Sequence, residues 1–280
     1  MKLSPLGLVL LVVAGATTCT PFQRRESVIA LRVVTYNIRS GNGDLRRTAE
    51  MIRRLAPDIA GLQEVDVGWA ERSGFEDQAR SLGELLGMQM RFAPIYTLHG
   101  GDSTQPPRQF GVALLSRYSI AGWKNDSLTR LSTQVEGAVP ATAPGLLEAT
   151  IDVDGIAVRV FNTHLDYRSD PRVRRRQIEE MLAYIGAAVE PTLVFGDLNA
   201  GPDAPELQPL LRRLRDTWQS SSEPGFTYPA DKPAKRIDYV LTSKHFRVRS
   251  ASVPVTEASD HRPVLVDLLL YFSRRASDAR

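Results

Sequence analysis

The sequence predicts an α/β fold in which two mostly antiparallel, mixed sheets pack face to face and helices cover their outer sides. Strand-like and helix-like apolar patterns alternate along the chain without an internal repeat. Residues 146–153 and 156–163 flank the dipeptide Asp154-Gly155, which indicates a tight antiparallel hairpin. Hairpins interspersed with helices exclude a purely parallel, doubly wound sheet. Two sheets with outer helices bury the apolar faces of both kinds of element.

Apolar periodicity predicts four helices. Asp44 is a suitable N-cap for the first helix, and Pro57 follows its end. Ser169-Asp170-Pro171 is a good helix start for the third. The expected ranges are residues 44–55, 77–86, 169–188 and 204–214.

Short segments rich in apolar or β-branched residues predict the strands. Besides the hairpin, these segments are residues 28–36, 58–63, 109–116, 192–198, 236–242, 246–255 and 263–271. Three segments rich in Gly, Pro, Ser or Thr are expected to be loops, namely residues 97–108, 124–145 and 219–235. None resembles a linker between domains, so we expect one domain over residues 28–272.

The composition is typical of a globular protein. The 280 residues are 42% hydrophobic and 24% charged, which argues against disorder, collagen-like repeats and a coiled coil. The net charge of +3 neither argues for a nucleic-acid partner nor excludes one. A single cysteine excludes an intramolecular disulfide and a cysteine-based zinc site.

The N-terminus has the pattern of an export signal. Lys2 precedes an uncharged segment over residues 5–16, which is too short to span a membrane but fits a signal-peptide core. Small residues at 14–16 offer a cleavage site, and Cys19 follows as a candidate for lipidation. We therefore expect residues 1–19 to be a signal peptide, with the mature protein periplasmic, secreted or lipid-anchored to the envelope. A buried N-terminal helix is the alternative.

Polar side chains are concentrated at the ends of the predicted strands. Each one alone has an ordinary explanation as a turn former or helix cap. Asp238 differs because its neighbours are strongly apolar, and a buried charge requires a partner. The joint occurrence of carboxylates, amides and histidines at strand ends is better explained by one shared site. The set is Asn37, Glu64, His164, Asp197, Asn199, Asp238, Asp260 and His261.

These residue types suit metal-assisted hydrolysis of a phosphoester. Oxygen ligands such as Glu64, Asp260 and the amide of Asn37 favour Mg²⁺ or Mn²⁺. A divalent ion neutralises phosphate charge, and a carboxylate can polarise the attacking water. A histidine such as His261 can protonate a phosphoryl oxygen when a carboxylate such as Asp238 fixes its tautomer.

Six ordered motifs resemble those of the endonuclease/exonuclease/phosphatase superfamily. They are Thr35-Tyr36-Asn37-Ile38, Gly61-Leu62-Gln63-Glu64-Val65, Asn162-Thr163-His164-Leu165, Gly196-Asp197-Leu198-Asn199, Arg236-Ile237-Asp238-Tyr239-Val240 and Ser259-Asp260-His261-Arg262-Pro263. The resemblance covers residues 30–271 and implies a four-layer α/β-sandwich. Within the superfamily, the sequence is similar to a bacterial exported branch. One departure is Val112, where many relatives have Asn.

The resemblance also implies roles for individual residues. Glu64, Asn37 and Asp260 would bind the metal, while Asp197 would orient or activate the water. Asn199 would contact the phosphate, Asp238 would orient His261, and His261 would act on the phosphate. His164 resembles a second histidine found in the deoxyribonuclease and sphingomyelinase branches. Glu71 and Asp102 are candidates for its carboxylate partner.

The sequence leaves the substrate open. Arg39, Arg72 and Arg108 lie on predicted loops that could clamp phosphate, although Arg72 could instead form a surface ion pair with Asp66. The basic residues within 172–176 fit either DNA contact or a solvated helix face. The expectation is a monomeric enzyme acting on nucleic acid or on a phospholipid headgroup, with a membrane surface as a further partner. Nuclease, phospholipase-C- or sphingomyelinase-like and phosphoinositide-phosphatase-like activities stay open, as does a non-catalytic envelope binding protein.

Overall fold

Two six-stranded sheets form the framework of the protein, for which a computed structural model describes residues 25–99, 106–219 and 223–274. The first sheet contains β1 (Arg25–Asn37), β2 (Ile59–Val67), β3 (Gln89–Leu98), β4 (Arg108–Ser116), β11 (Phe246–Ser252) and β12 (Val264–Arg274). The second contains β5 (Ser119–Arg130), β6 (Ala141–Val153), β7 (Ile156–His164), β8 (Thr192–Asp197), β9 (Arg215–Asp216) and β10 (Asp238–Thr242). The predicted signal segment with Cys19, and Asp102, lie outside the described residues.

Each sheet is antiparallel except for one parallel pair at its centre. The strand orders are β11-β12-β1-β2-β4-β3 and β5-β6-β7-β8-β10-β9. In the first sheet β1 and β2 are parallel, and in the second β7 and β8 are parallel. Parallel neighbours end at the same edge of a sheet, so these two pairs bring four strand ends into position for a site.

Helices cover the outer faces and complete four layers. The first sheet carries α1 (Leu45–Leu55) and α2 (Gln78–Leu86), and the second carries α3 (Arg172–Ile185) and α4 (Gln208–Arg213). Side chains alternate along each strand, so Val33 packs between the sheets while Val34 packs under the helices. The predicted fold class is confirmed. Among the described residues, no helix has the length and apolar character needed to cross a membrane.

Local sequence signals correctly predicted two helix starts and one hairpin turn. The side chains of Asp44 and Asp77 accept hydrogen bonds from the backbone nitrogens of Arg46 and Arg80, which caps α1 and α2. Asp154 and Gly155 both adopt positive φ, at 50° and 87°, as a two-residue hairpin requires. The third and fourth helices are shorter than predicted, since they occupy Arg172–Ile185 and Gln208–Arg213.

The predicted loop over residues 124–145 is shorter in the structure, where it occupies residues 131–140. β5 continues to Arg130 and β6 begins at Ala141, and the two strands pair along almost their whole lengths. β3 was also not predicted. Both β3 and β5 are edge strands with irregular burial, so neither shows the clean alternation that marks a half-buried strand.

A buried polar clamp joins the two sheets beneath the strand ends. Asn162 on β7 donates to the backbone oxygens of Leu62 and Ala113, at 3.0 and 2.8 Å. Its Oδ1 accepts from Nε2 of Gln63 at 2.7 Å. All these contacts cross from one sheet to the other, so this single side chain fixes the spacing of the sheets directly beside Glu64.

Candidate active site

The carboxyl ends of β1, β2, β7 and β8 meet at one edge of the sandwich. Asn37 ends β1, and its Nδ2 donates across the sheets to Oδ2 of Asp197 at the end of β8, at 3.0 Å. The same Nδ2 donates to Oε1 of Glu64 at 2.9 Å. His164 ends β7 and is the register partner of Asp197. The structure therefore brings together residues from four of the six motifs.

A bulge in β2 presents Glu64 at this edge. The pairing of β2 with β4 shifts between Leu62 and Val65, so β2 holds one extra residue there. Glu64 takes up the irregularity with a φ of 55°, a conformation that side chains other than glycine seldom adopt. Its carboxylate is partly exposed, in contrast to the buried Gln63 that precedes it.

Asp197 is the centre of the hydrogen-bonded cluster. Its Oδ1 accepts from the backbone nitrogen of Asn199 at 3.0 Å, while Oδ2 accepts from Asn37. Oδ2 also lies 3.5 Å from Nε2 of His164 and 3.7 Å from Nε2 of His261. Burial, together with the negative charge of Asp238, raises the pKa of Asp197 to about 6. This carboxylate is therefore a stronger base than an exposed one.

His261 is held by Asp238 on one side and by an aromatic ring on the other. Its Nδ1 lies 2.9 Å from Oδ2 of Asp238, and its ring centroid lies 4.7 Å from that of Tyr228. Burial opposes the charged imidazolium, but the charge and hydrogen bond of Asp238, aided by Asp197, raise the pKa of His261 to about 10. His261 is therefore protonated at neutral pH and can donate from Nε2. Tyr228 was not predicted, because it lies in a segment without a strand-end pattern.

We expect Asp238→Asn to lower the pKa of His261, because the substitution removes the charge that opposes desolvation. NMR titration of the imidazole signals, with His261→Gln to identify the resonance, measures this directly. The raised pKa also means that the ion pair stabilises the fold fully below the ordinary histidine pKa and loses that contribution as pH rises toward about 10. The wild type should lose its stability advantage over Asp238→Asn across that interval. An unchanged His261 titration would contradict the assigned coupling.

Asn199 and Asp260 lie at the border of the cluster. Asn199 donates from Nδ2 to the backbone oxygen of Leu165 at 3.0 Å, which ties the end of β8 to that of β7. Asp260 is partly exposed, and its Oδ2 lies 3.5 Å from Nε of Arg39. Three arginines were predicted to bind phosphate. Of these, Arg39 forms an ion pair with a predicted site residue.

The other two arginines have partners elsewhere. Arg72 forms a two-point ion pair with the buried carboxylate of Asp66, at 2.9 and 3.1 Å, as the alternative interpretation proposed. The charge of Glu64 contributes to the raised pKa of Arg72, after the hydrogen bond and charge of Asp66. Arg108 donates to the backbone oxygen of Trp69 and packs over its ring.

Among the described residues, the carboxylate that contacts His164 is Asp197, with Oδ2 3.5 Å from Nε2, and not the predicted candidate Glu71. Glu71 is exposed in a short 3₁₀ turn at Glu71–Ser73, and Asp102 lies outside the described residues. The pairing of His164 with Asp197 was not predicted, because the predicted role of Asp197 was to orient the attacking water. Val112, which the sequence analysis identified as a departure from the superfamily pattern, is buried in the core between the sheets.

The basic run at the start of α3 is largely paired within the chain. Arg174 is buried and pairs with Glu206 at 2.8 Å, so it is not part of a solvated face. Arg172 pairs with Asp170, and Arg176 pairs with neighbouring glutamates of the same helix. This run therefore offers less free positive charge to a polyanion than its sequence indicates.

Glu64 and Asp260 are the two carboxylates of the set that the sequence predicts to bind a divalent cation. Both are partly exposed carboxylates, and oxygen donors of this kind suit Mg²⁺ or Mn²⁺. Asn37 turns its amide nitrogen toward Glu64 and its oxygen toward the backbone nitrogen of Arg39, so its ligand role stays a prediction. Asp197, Asp238 and His261 also place ligand atoms within 4.8 Å of one another. The short contact of His261 Nδ1 with Asp238 indicates a hydrogen-bonded chain there.

Comparisons with known proteins identify what the chain is similar to. Residues 34–261 match the sequence pattern of the Endonuclease/Exonuclease/phosphatase family. A solved endonuclease/exonuclease/phosphatase from Beutenbergia cavernae is 28% identical, with a TM-score of 0.69 over 86% of this chain and 72% of that one. A mannosyl-6-phosphatase of Bacteroides thetaiotaomicron has a TM-score of 0.60 at 19% identity, over 85% and 99% of the two chains, and shows the fold alone.

A curated relative matches the chain over a shorter length. A UPF0294 protein of Vibrio vulnificus is 26% identical over 157 residues, which are 53% of this chain and 52% of that protein. The chain thus spans about half the length of the curated relatives it matches.

Proposed function

The chain belongs to the endonuclease/exonuclease/phosphatase family, whose members are phosphoesterase hydrolases, and from this premise we propose that it is an exported, Mg²⁺- or Mn²⁺-dependent phosphoesterase. It hydrolyses a phosphodiester or phosphomonoester by in-line attack of water. The observation that carries the proposal is the buried carboxylate of Asp197, which Asn37 and both histidines surround.

The protein's own groups divide the acid and base roles. Asp197, with a pKa of about 6, is mostly ionised at neutral pH and accepts a proton from the attacking water. His261, kept protonated by Asp238, donates from Nε2 to a phosphoryl oxygen. His164, partly exposed beside Asp197, binds the phosphate or protonates the leaving oxygen. Asn37 donates hydrogen bonds to Glu64 and Asp197 and thereby fixes the two carboxylates relative to each other.

Glu64 and Asp260 would hold the divalent cation. When bound, the cation supplies charge neutralisation of the phosphate and of the leaving oxygen. The hydrogen bond from Asn37 orients Glu64 at 2.9 Å, so the carboxylate is positioned before the cation binds. Arg39, paired with Asp260, supplies a nearby positive charge for a phosphate oxygen.

Removal of divalent cations is expected to abolish hydrolysis, and addition of Mg²⁺ or Mn²⁺ should restore it. The test uses chelated protein and the chromogenic diester bis(p-nitrophenyl) phosphate. Glu64→Gln should weaken Mn²⁺ binding by about tenfold or more, as measured by calorimetry without substrate. Glu71→Gln, at an exposed glutamate of the same region, is the matched control and should bind Mn²⁺ as the wild type does. Equal Mn²⁺ affinity in all three proteins would contradict the assigned ligand.

Export is proposed on the pattern of residues 1–19. Mass spectrometry of the mature N-terminus tests it, since an uncleaved chain would contradict the proposal and an acylated Cys19 would identify a lipid anchor.

A further inference from the structure

A cavity of about 200 Å³ opens beside the catalytic cluster, and the chemistry proposed above leaves it unused. Glu64 and His164 form part of its wall. The remaining wall includes Tyr96 and Phe110 on the first sheet, Leu165 directly after β7, and Gln177 on α3. The cavity shares Glu64 and His164 with the cluster, so it is open to the organic group of a phosphate ester bound at the cluster.

Hydrogen bonds hold the walls in place. The backbone nitrogen of Thr133 donates to the hydroxyl of Tyr96 at 3.2 Å, which fixes the segment after β5 against β3. Arg168 pairs with Asp166 and donates to the backbone oxygen of Leu131 at 3.2 Å. The cavity is therefore formed before a ligand enters, which lowers the entropic cost of binding.

Two buried polar side chains that line the cavity have hydrogen-bond donors that the described residues do not use. Gln177 is 1% exposed, and its Oε1 accepts from the backbone nitrogen of Asp166 at 3.0 Å. Its Nε2 donates to none of the described residues, so this donor is available to a ligand in the cavity. Arg130 is 7% exposed and bonds to three backbone oxygens, with no carboxylate in ion-pair distance among the described residues. These donors favour a ligand that carries hydrogen-bond acceptors.

Aromatic faces and small volume restrict the ligand further. The rings of Tyr96 and Phe110 are stacked, with centroids 6.2 Å apart. Tyr167, another lining residue, is 63% exposed. A volume of about 200 Å³ lies below the roughly 300–1,000 Å³ of pockets for drug-sized ligands. The cavity therefore suits one ring, and it is too small for successive stacked bases.

We infer that this cavity is the specificity subsite and that it takes the single polar ring of a small phosphate ester. The inference rests on the proposed phosphoesterase function and names its substrate class. The ring packs on Tyr96 and Phe110, and one of its acceptors receives a hydrogen bond from Nε2 of Gln177. A sugar ring and a pyrimidine nucleoside share this chemistry, whereas a long acyl chain and duplex DNA do not.

The test measures phosphate release by the full chain with Mn²⁺ from a hexose phosphate, a pyrimidine nucleoside monophosphate and glycerol phosphate, which has hydroxyls but no ring. Leu131→Trp narrows the cavity. It should raise KM for the preferred ring ester by about tenfold or more and leave KM for glycerol phosphate within about twofold. Val135→Trp is the control, since Val135 is 62% exposed on the same segment and does not line the cavity.

The outcomes separate this inference from the proposed function. Preference for the hexose or for the nucleoside ester identifies the source of the ring and supports the subsite. Faster cleavage of plasmid DNA or of phospholipid vesicles than of either ring ester would overturn it. An equal effect of Leu131→Trp on glycerol phosphate would also overturn it, while leaving the phosphoesterase intact. Hydrolysis of bis(p-nitrophenyl) phosphate with no release from either ring ester overturns the subsite alone. Absence of hydrolysis of the monoesters and of the diester contradicts the phosphoesterase proposal, and the subsite falls with it.

Discussion

Asp197→Asn is expected to lower kcat by roughly 10³-fold or more, because general acid–base groups contribute roughly 10²–10⁴ to a rate. The substitution keeps the shape of the side chain but removes the base that accepts the proton of the attacking water. It also removes the negative charge that faces both histidines, at 3.5 and 3.7 Å. The effect should appear in kcat more than in KM, since the lost interaction develops in the transition state.

The control for this prediction is Asp203→Asn, which changes an exposed aspartate near the end of the same strand. Circular dichroism and the denaturation midpoint establish that both variants fold. Hydrolysis of bis(p-nitrophenyl) phosphate across a pH series then measures the loss. A kcat for Asp197→Asn within tenfold of the wild type would exclude Asp197 as the base and would direct attention to His164.

Asn162→Leu is expected to destabilise the protein by about 4 kcal/mol, since each buried group left unsatisfied costs about 1–3 kcal/mol. Leucine fills a similar space but leaves the backbone oxygens of Leu62 and Ala113 and the amide of Gln63 without this partner. The loss should extend to activity, because Gln63 precedes Glu64 in the bulge of β2.

Thr163→Val is the matched comparison for the clamp. It lies on the same strand and loses one buried hydrogen bond, from Oγ1 of Thr163 to the backbone oxygen of Gly145 at 3.0 Å. Its expected cost is about 1 kcal/mol. Urea denaturation of both variants measures the difference. Equal destabilisation by the two substitutions would show that the clamp between the sheets stabilises the protein no more than one ordinary buried hydrogen bond does.

Much of the fold could be predicted because its signals are local. The hairpin at Asp154-Gly155 and the caps at Asp44 and Asp77 depend on residues within a few positions of one another. β3 and β5 were missed because an edge strand is stabilised by its single neighbour and carries a weak burial pattern. The ladder between β5 and β6 decided the structure of residues 124–130 against their loop-like composition.

For the candidate site, the sequence by itself determined which chemical groups are available and that they stand at strand ends. The pairing of Asp238 with His261 was expected from the resemblance, whereas only the tertiary structure decided the other pairings. Asn37 and Asp197 are 160 residues apart in the chain, yet they share a hydrogen bond across the sheets. The same packing gives His164 its carboxylate partner, places Tyr228 on His261 and forms the cavity between Tyr96 and Leu165. Such contacts depend on the spacing and register of two sheets, which no local pattern encodes.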